Sequence, residues 1–227
     1  MVTDDFIIYI PTRGRVYAQS TWDYLKECPA LDGKIKLVVR EDEVEAHKKL
    51  GRPTITRPEG QIHEVWQYML ERDDAPYFFI IDDDLRFFRR LGENDWHLQR
   101  IYNTEFEELF NRALDGLVNR GFIHGTLASR QLHNQQPAVE TQNGRANAFH
   151  YFNREAVQAT GLNMACSGLH DIHTTLYLLR RGYPNLVITH YAWQQTGACN
   201  DPGGSSMSRT GACQTQQVLK QKELHPD

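Results

Sequence analysis

Short, unbroken apolar runs alternate along this chain with longer stretches of helical period. Phe6-Ile7-Ile8-Tyr9-Ile10 and Tyr77-Phe78-Phe79-Ile80-Ile81 are the clearest runs, and five uninterrupted apolar residues suit a strand buried on both faces. Lys34 to Arg40 reads as a second strand, Phe122 to Ala128 as a further one and Leu186 to Thr189 as a late one. Between them, Gln61 to Arg72 places Ile62, Val65, Trp66, Met69 and Leu70 on one helical face. Thr104 to Arg120 does the same with Phe106, Leu109, Phe110, Ala113, Leu114, Leu117 and Val118. Thr104 and Glu107 have capping-box spacing, and Gly121 stands where a helix-ending glycine belongs. A shorter helix follows Asp42, with Glu45 as its box partner and Gly51 as its stop. Asp171 to Arg181 is a helix closed by Gly182 and Pro184. Gln131 to Asn147 reads as a loop, and the Gly-, Ser-, Gln- and Thr-rich tail from Gln194 as a mobile segment or a cover over a ligand.

Strands alternating with helices predict an α/β sheet, mainly parallel in its amino-terminal half, in one domain without repeats or linkers. In such sheets ligands bind beyond the carboxyl ends of the strands. Three polar segments occupy those ends: Pro11-Thr12-Arg13-Gly14-Arg15, the residues from Arg40 and Glu41 onward, and Asp82-Asp83-Asp84. Composition narrows the partners. The 227 residues carry a formal net charge of -4, which counts against a general polyanion binder. No apolar stretch is long enough to cross a bilayer, the acidic amino terminus is unlike a signal peptide, and four cysteines without CxxC spacing fit a reducing cytoplasm.

The acidic triplet carries the chemistry. A hard divalent ion, Mn2+ or Mg2+, can be held by one or two carboxylates while phosphate oxygens and water fill its other positions. Residues i and i+2 at a strand end can face the same side, so Asp82 and Asp84 are the candidate metal ligands. A solvated acidic turn is the bland alternative, but three carboxylates against a buried strand end are costly without a cation or donors. Arg13 and Arg15 offer planar, paired donors to phosphate, against the alternative of a solvated basic turn. Cys166, His170 and His173 lack the spacing of a zinc finger, and no second cysteine pair completes one.

With an apolar strand and nucleotide-binding turn at Phe6 to Arg15 and a later strand ending in Asp-x-Asp at Tyr77 to Asp84, the chain resembles the GT-A glycosyltransferases. More narrowly it resembles the phage-type DNA-base glycosyltransferases associated with TET-like hydroxylases. The residues that carry this are Gly60-Gln61-Ile62-His63-Glu64-Val65-Trp66-Gln67-Tyr68, then Ile80-Ile81-Asp82-Asp83-Asp84-Leu85. Trp66 departs from the pattern, standing where an arginine is expected. The resemblance implies a GT-A-like mixed, mainly parallel sheet flanked by helices. It implies a UDP-sugar donor, Mn2+ or Mg2+, and 5-hydroxymethylpyrimidines in DNA as acceptors, with no membrane or protein partner. A phage-encoded protein of this kind works in the host cytoplasm.

On that resemblance residues 1–100 form the nucleotide-sugar-binding half, 101–195 the acceptor half and 196–227 a lid or tail. Donor contacts fall to Pro11, Thr12, Arg13, Arg15, Arg40, Glu41, Gln61, Asp82 and Asp83, and His190 joins Asp82 and Asp84 on the metal. Asp171 is the general base of an inverting transfer, a role compatible with capping its helix. Arg86, Arg89, Arg145, Arg154, His170 and Trp193 are the candidate acceptor contacts, Trp193 also as part of a lid with Gly197 to Thr210. A base acted on in duplex DNA would have to flip out of the stack. Three other readings stay open: a glycan or protein acceptor, nucleotidyl transfer (disfavoured by the lack of lysine in Pro11 to Arg15), and a nucleic-acid-binding module with an idle acidic turn.

Overall fold

The structure is a computed structural model that describes residues 1–92, 97–131, 139–164, 169–196 and 211–226. One mixed sheet organises it. Its strands are β1 (Phe6–Pro11), β2 (Ile35–Val39), β3 (Thr54–Thr56), β4 (Tyr77–Ile81), β5 (Leu85–Arg90), β6 (Leu98–Arg100), β7 (His124–Ser129), β8 (Glu140–Gln142), β9 (Phe149–Asn153) and β10 (Leu186–Gln195). The path runs β3-β2-β1-β4-β9-β7-β10-β5-β6, with β8 pairing against β10. The first four strands are mutually parallel, as the alternating pattern predicts. Beyond β4 the sheet turns mixed: β9 runs antiparallel to β4 and β7, and β5 antiparallel to β10, while β7 and β10 are parallel.

Helices α1 (Ser20–Leu25), α2 (Val44–Lys49), α3 (Ile62–Glu71), α4 (Glu105–Val118), α5 (Arg154–Ala159), α6 (His170–Arg180) and α7 (Gly211–Leu224) complete the described fold. Strand alternation divides β1 and β4 between two cores. Phe6, Ile8, Ile10, Phe79 and Ile81 face the layer of α1 and α4, where Phe106, Leu109, Phe110, Ala113, Leu114 and Leu117 meet them. Ile7, Tyr9, Phe78 and Ile80 face α3, α5 and α6 through Val65, Trp66, Met69, Leu70, Val157 and Leu178. Both layers are apolar, which is why these strands read as continuous runs. Gly125 in β7 is required by close approach: a Cβ there would lie 2.2 Å from the Tyr151 ring.

Several expected boundaries shift. The helix expected from Thr104 starts at Glu105, and Thr104 makes no capping bond; Glu105 instead accepts from the Tyr102 amide at 3.2 Å. The expected late strand continues past Thr189 to Gln195, through an irregularity between Ile188 and Ala192. The span Gln131 to Asn147 contains β8. Part of the tail is helical, as α7, while Gly197 to Thr210 lies outside the described residues.

Candidate active site

Parallel pairing puts the carboxyl ends of β1 to β4 on one rim. The segments that leave them, at Thr12, Arg40, Arg57 and Asp82, therefore converge there.

The acidic triplet is fastened from three directions. The Asp82 amide donates to the carbonyl of Ala148 at 2.9 Å, and Ala148 itself is held in the left-handed region at φ 59°. From the start of α1, Thr21 donates its hydroxyl to the Asp82 carbonyl and its amide to the Asp83 carbonyl, and its hydroxyl accepts from the Leu85 amide. The amide of Thr196, just past β10, donates to the Asp84 carbonyl at 2.8 Å.

Side chains divide the three carboxylates between two jobs. Asp83 is buried and satisfied: Thr12 Oγ1 donates to one oxygen and Arg15 Nη1 to the other at 2.6 Å. Gln19 Nε2 in turn donates to Thr12 Oγ1 at 2.7 Å and to the Arg15 carbonyl at 2.9 Å. Asp84 is also buried, with Oδ2 3.2 Å from Arg15 Nη1, but its Oδ1 has no hydrogen-bond partner. Asp82 is half-buried. Burial first, then the charges of Asp84, Asp83 and Asp171, push its carboxyl well above the usual carboxylate range, and Arg15 acts against them. Burial also raises Asp83, with Arg15 and Thr12 pulling it back.

Asp171, in the first turn of α6, is among the charges that act on Asp82. That turn is seated on α3: the His170 ring lies 4.5 Å from Trp66, which lies 4.7 Å from His150 in β9. Trp66 thus supports the helix carrying Asp171, a packing role at the position where an arginine was expected.

The rim over β1 to β3 carries charges of both signs. Arg13 is exposed, Arg40 Nε lies 3.1 Å from Asp42 and 3.6 Å from Glu59, and Arg57 is buried with Nη1 donating to the Pro58 and Gly60 carbonyls. Burial, then Arg13, lowers the proton affinity of Arg57, so these cations share one neighbourhood. Glu43 accepts from the Gly14 amide at 2.6 Å. Glu41 is exposed beside Arg40, Pro11 ends β1 in the core, and Gln61 caps α3 in a reciprocal box with Glu64. Arg86 is exposed on β5 opposite Gln194, and exposed Arg145 precedes Ala148.

Four expected assignments are corrected. His190 sits within β10, five residues before Gln195, the residue that pairs with Leu85; its charged neighbours are Arg112, Glu108, Arg89 and Arg90, not the triplet. Arg89 alternates to the opposite face from Arg86, where its Nε donates to Glu105 on α4 at 2.7 Å. Trp193 is buried in the α4-side core with its indole donating to the Leu127 carbonyl, so it cannot form a lid. Arg154 is buried at the far end of β9, where Asn153 pairs with Tyr77, and all its donors are used by Ala75, Met69, Leu70, Tyr9 and Asp74. Cys166 lies outside the described residues, and among those described no group of three or more metal-binding side chains of the His, Cys, Asp and Glu types occurs. No helix among the described residues is long and apolar enough to cross a membrane.

Sequence reasoning missed Gln19, Thr21 and Arg57. Gln19 stands at the N-cap position and Thr21 in the first turn of a short helix of weak periodicity, and only their closeness to the Arg13–Arg15 turn could have flagged them.

A family profile described as TET-associated glycosyltransferase matches residues 6–204. Comparison with curated protein sequences finds no match. Among solved structures, glucosyl-3-phosphoglycerate synthase from Mycobacterium tuberculosis, in complex with Mn2+, UDP and phosphoglyceric acid, superposes with a TM-score of 0.63 at 13% identity, covering 98% of this chain and 79% of that one. A mannosyltransferase from Pyrobaculum calidifontis, in complex with GDP-Man and Mn2+, gives 0.55 at 13% identity over 80% of this chain and 53% of that one. A CMP:2-keto-3-deoxy-manno-octonic acid synthetase complexed with CTP gives 0.54 at 13% identity, over 96% and 99%. At such identities the likeness establishes a shared fold, that of GT-A-type enzymes.

Proposed function

The chain belongs to the TET-associated glycosyltransferases, and from that premise we propose that it moves a sugar from a UDP-sugar to the hydroxyl of a 5-hydroxymethylpyrimidine in DNA. The observation that carries the donor side is the division within the triplet: Asp83 is saturated, whereas Asp84 keeps a buried oxygen without a partner, and burial first, then the neighbouring carboxylates, raise the proton affinity of Asp82. Hard oxygen ligands with surplus negative charge fit Mn2+ or Mg2+, and Asp82 and Asp84 would hold it. When bound, the ion neutralises charge on the leaving diphosphate. UDP with Mn2+ or Mg2+ in the synthase of the same fold supports this choice of donor.

The chain's own residues supply the rest. Thr12, Arg13 and Arg15 border the diphosphate, and Arg40 and Glu41 the nucleoside, with Pro11 shaping the turn and Gln61 at the far side of the rim. Asp171 takes the proton of the acceptor hydroxyl as that oxygen attacks the anomeric carbon; the bond from that carbon to the diphosphate breaks, and UDP leaves. Attack opposite the leaving group inverts the centre. His170 borders the acceptor beside Asp171, and Arg86 and Arg145 are the exposed cations placed to meet DNA phosphates. Residues 1–100 then serve the donor and 101–195 the acceptor.

The test is mass spectrometry of nucleosides from 5-hydroxymethylated DNA incubated with the protein, Mn2+ and a panel of UDP-sugars, beside Asp84→Ala and EDTA controls. A hexose-sized gain on the modified base, lost in both controls, is expected. Metal-dependent UDP release without base modification would refute the DNA acceptor, and no signal with any donor would refute the donor as well.

A further inference from the structure

Arg15 is held by Asp83 and by Asp84, one of the two carboxylates that a cation would use. Its Nη1 lies 2.6 Å from Asp83 Oδ1 and 3.2 Å from Asp84 Oδ2, and its side chain is 12% exposed. Two atoms of this ion-paired cluster are buried without a hydrogen-bond partner: Arg15 Nε, which is a donor, and Asp84 Oδ1, which is an acceptor. An anionic oxygen satisfies the first and a cation the second. A cation-bound diphosphate supplies both together, and neither half supplies them alone.

We infer that Arg15 makes metal loading conditional on the nucleotide diphosphate. A divalent cation approaching Asp84 alone meets a guanidinium already bound to that carboxylate in a low-dielectric site, where like charges repel strongly. A diphosphate engages the guanidinium through its planar fork, so the same residue changes from competitor to partner. The free carboxylates still attract the ion, so Arg15 sets the order and coupling of binding, not its possibility. Because linkage is reciprocal, the metal tightens the nucleotide by the factor by which the nucleotide tightens the metal. This rests on the UDP-sugar reading above.

Mn2+ affinity, read by the electron paramagnetic resonance of the free ion, is measured with and without UDP for the wild type, Arg15→Gln and Arg15→Lys. Glutamine keeps a polar amide while removing the charge; lysine keeps the charge. The wild type is expected to bind Mn2+ weakly alone and roughly tenfold or more tighter with UDP, within the usual span of coupled sites. In Arg15→Gln, Mn2+ alone binds roughly tenfold tighter than in wild type, and the effect of UDP shrinks toward none. Arg15→Lys stays near wild type for Mn2+ alone, which also guards against misreading a poorly folded glutamine variant. Mn2+ binding by folded Arg15→Gln that is no tighter than wild type overturns the inference, while the donor reading survives if UDP and Mn2+ still bind together. A wild type that binds no UDP at all overturns both.

Discussion

Replacing Arg154 with methionine separates a structural pillar from an acceptor contact. The guanidinium has five N–H groups, and all are committed: Nε to the Ala75 carbonyl, Nη1 to the Met69 and Leu70 carbonyls, Nη2 to Tyr9 Oη and Asp74. Its plane also lies 4.4 Å over the Phe78 ring. Methionine keeps most of the apolar stem and removes every donor. The damage is unequal. Leu70 keeps a donor in Gln158, and Asp74 keeps Tyr9 and Arg72, but Met69 and Ala75 lose the side-chain donor to their carbonyls. Buried polar groups stripped of partners cost about 1–3 kcal/mol each, and breaking a buried charged cluster costs about 3–5 kcal/mol. The expected loss is about 4 kcal/mol, a large part of the ~5–15 kcal/mol that holds a domain together. For a chain of this size that lowers Tm by on the order of 10 °C. Arg154 follows Asn153, which pairs with Tyr77 at the end of β4 remote from Asp82. Turnover well below the melting point is therefore expected to persist with unchanged acceptor KM. Calorimetry and steady-state assays decide: an unshifted Tm with a raised acceptor KM would refute this reasoning.

Two further outcomes follow from the same geometry. Burial holds His124 and His173 at about 4 in the fold, against 6.5 for an ordinary histidine. Their folded values are depressed, so their full contribution is present above 6.5 and is lost as pH falls toward 4, about 3 kcal/mol for each at ~1.36 kcal/mol per unit; a urea midpoint that stays flat across that window would contradict it. Asp171→Asn is expected to slow single-turnover sugar transfer by on the order of 100- to 10,000-fold with UDP affinity preserved, and an unchanged rate would remove Asp171 as base.

The fold was legible where one principle dominated. β1 and β4 are buried on both faces, so their apolar runs survive any choice of face, and α4 turns one broad stripe to a single core. β9 was missed because Phe149-His150-Tyr151-Phe152 breaks its apolar run with a histidine, yet His150 is fully buried between β4 and β7 and against Trp66. β5 is not legible as a strand because Arg86, Arg89 and Arg90 obscure its alternation. Its strand character comes from β10, a pairing distant in sequence. The same tertiary dependence explains the site. Asp82 and Asp84 were recognisable at a strand end, but a histidine at the end of a short apolar run looks the same whether its strand stops or continues. β10 continues to Gln195, and that places His190 beside α4.

Three consecutive aspartates do not make three ligands. The middle carboxylate ties the end of β4 to the turn after β1 through Thr12 and Arg15, and in doing so uses both its oxygens. Its neighbours are left with the charge. An aspartate whose folded value is raised contributes stability at low pH that is lost as pH rises through that value, so Asp82, ionised, weighs against the fold. Asp84 adds a buried oxygen without a partner. A divalent cation bound there would relieve both at once and would compete with protons for Asp82. The acidic cluster therefore works against the stability of the chain. The dense hydrogen bonding around it, from Thr21, Ala148 and Thr196, is what keeps such a cluster in one arrangement.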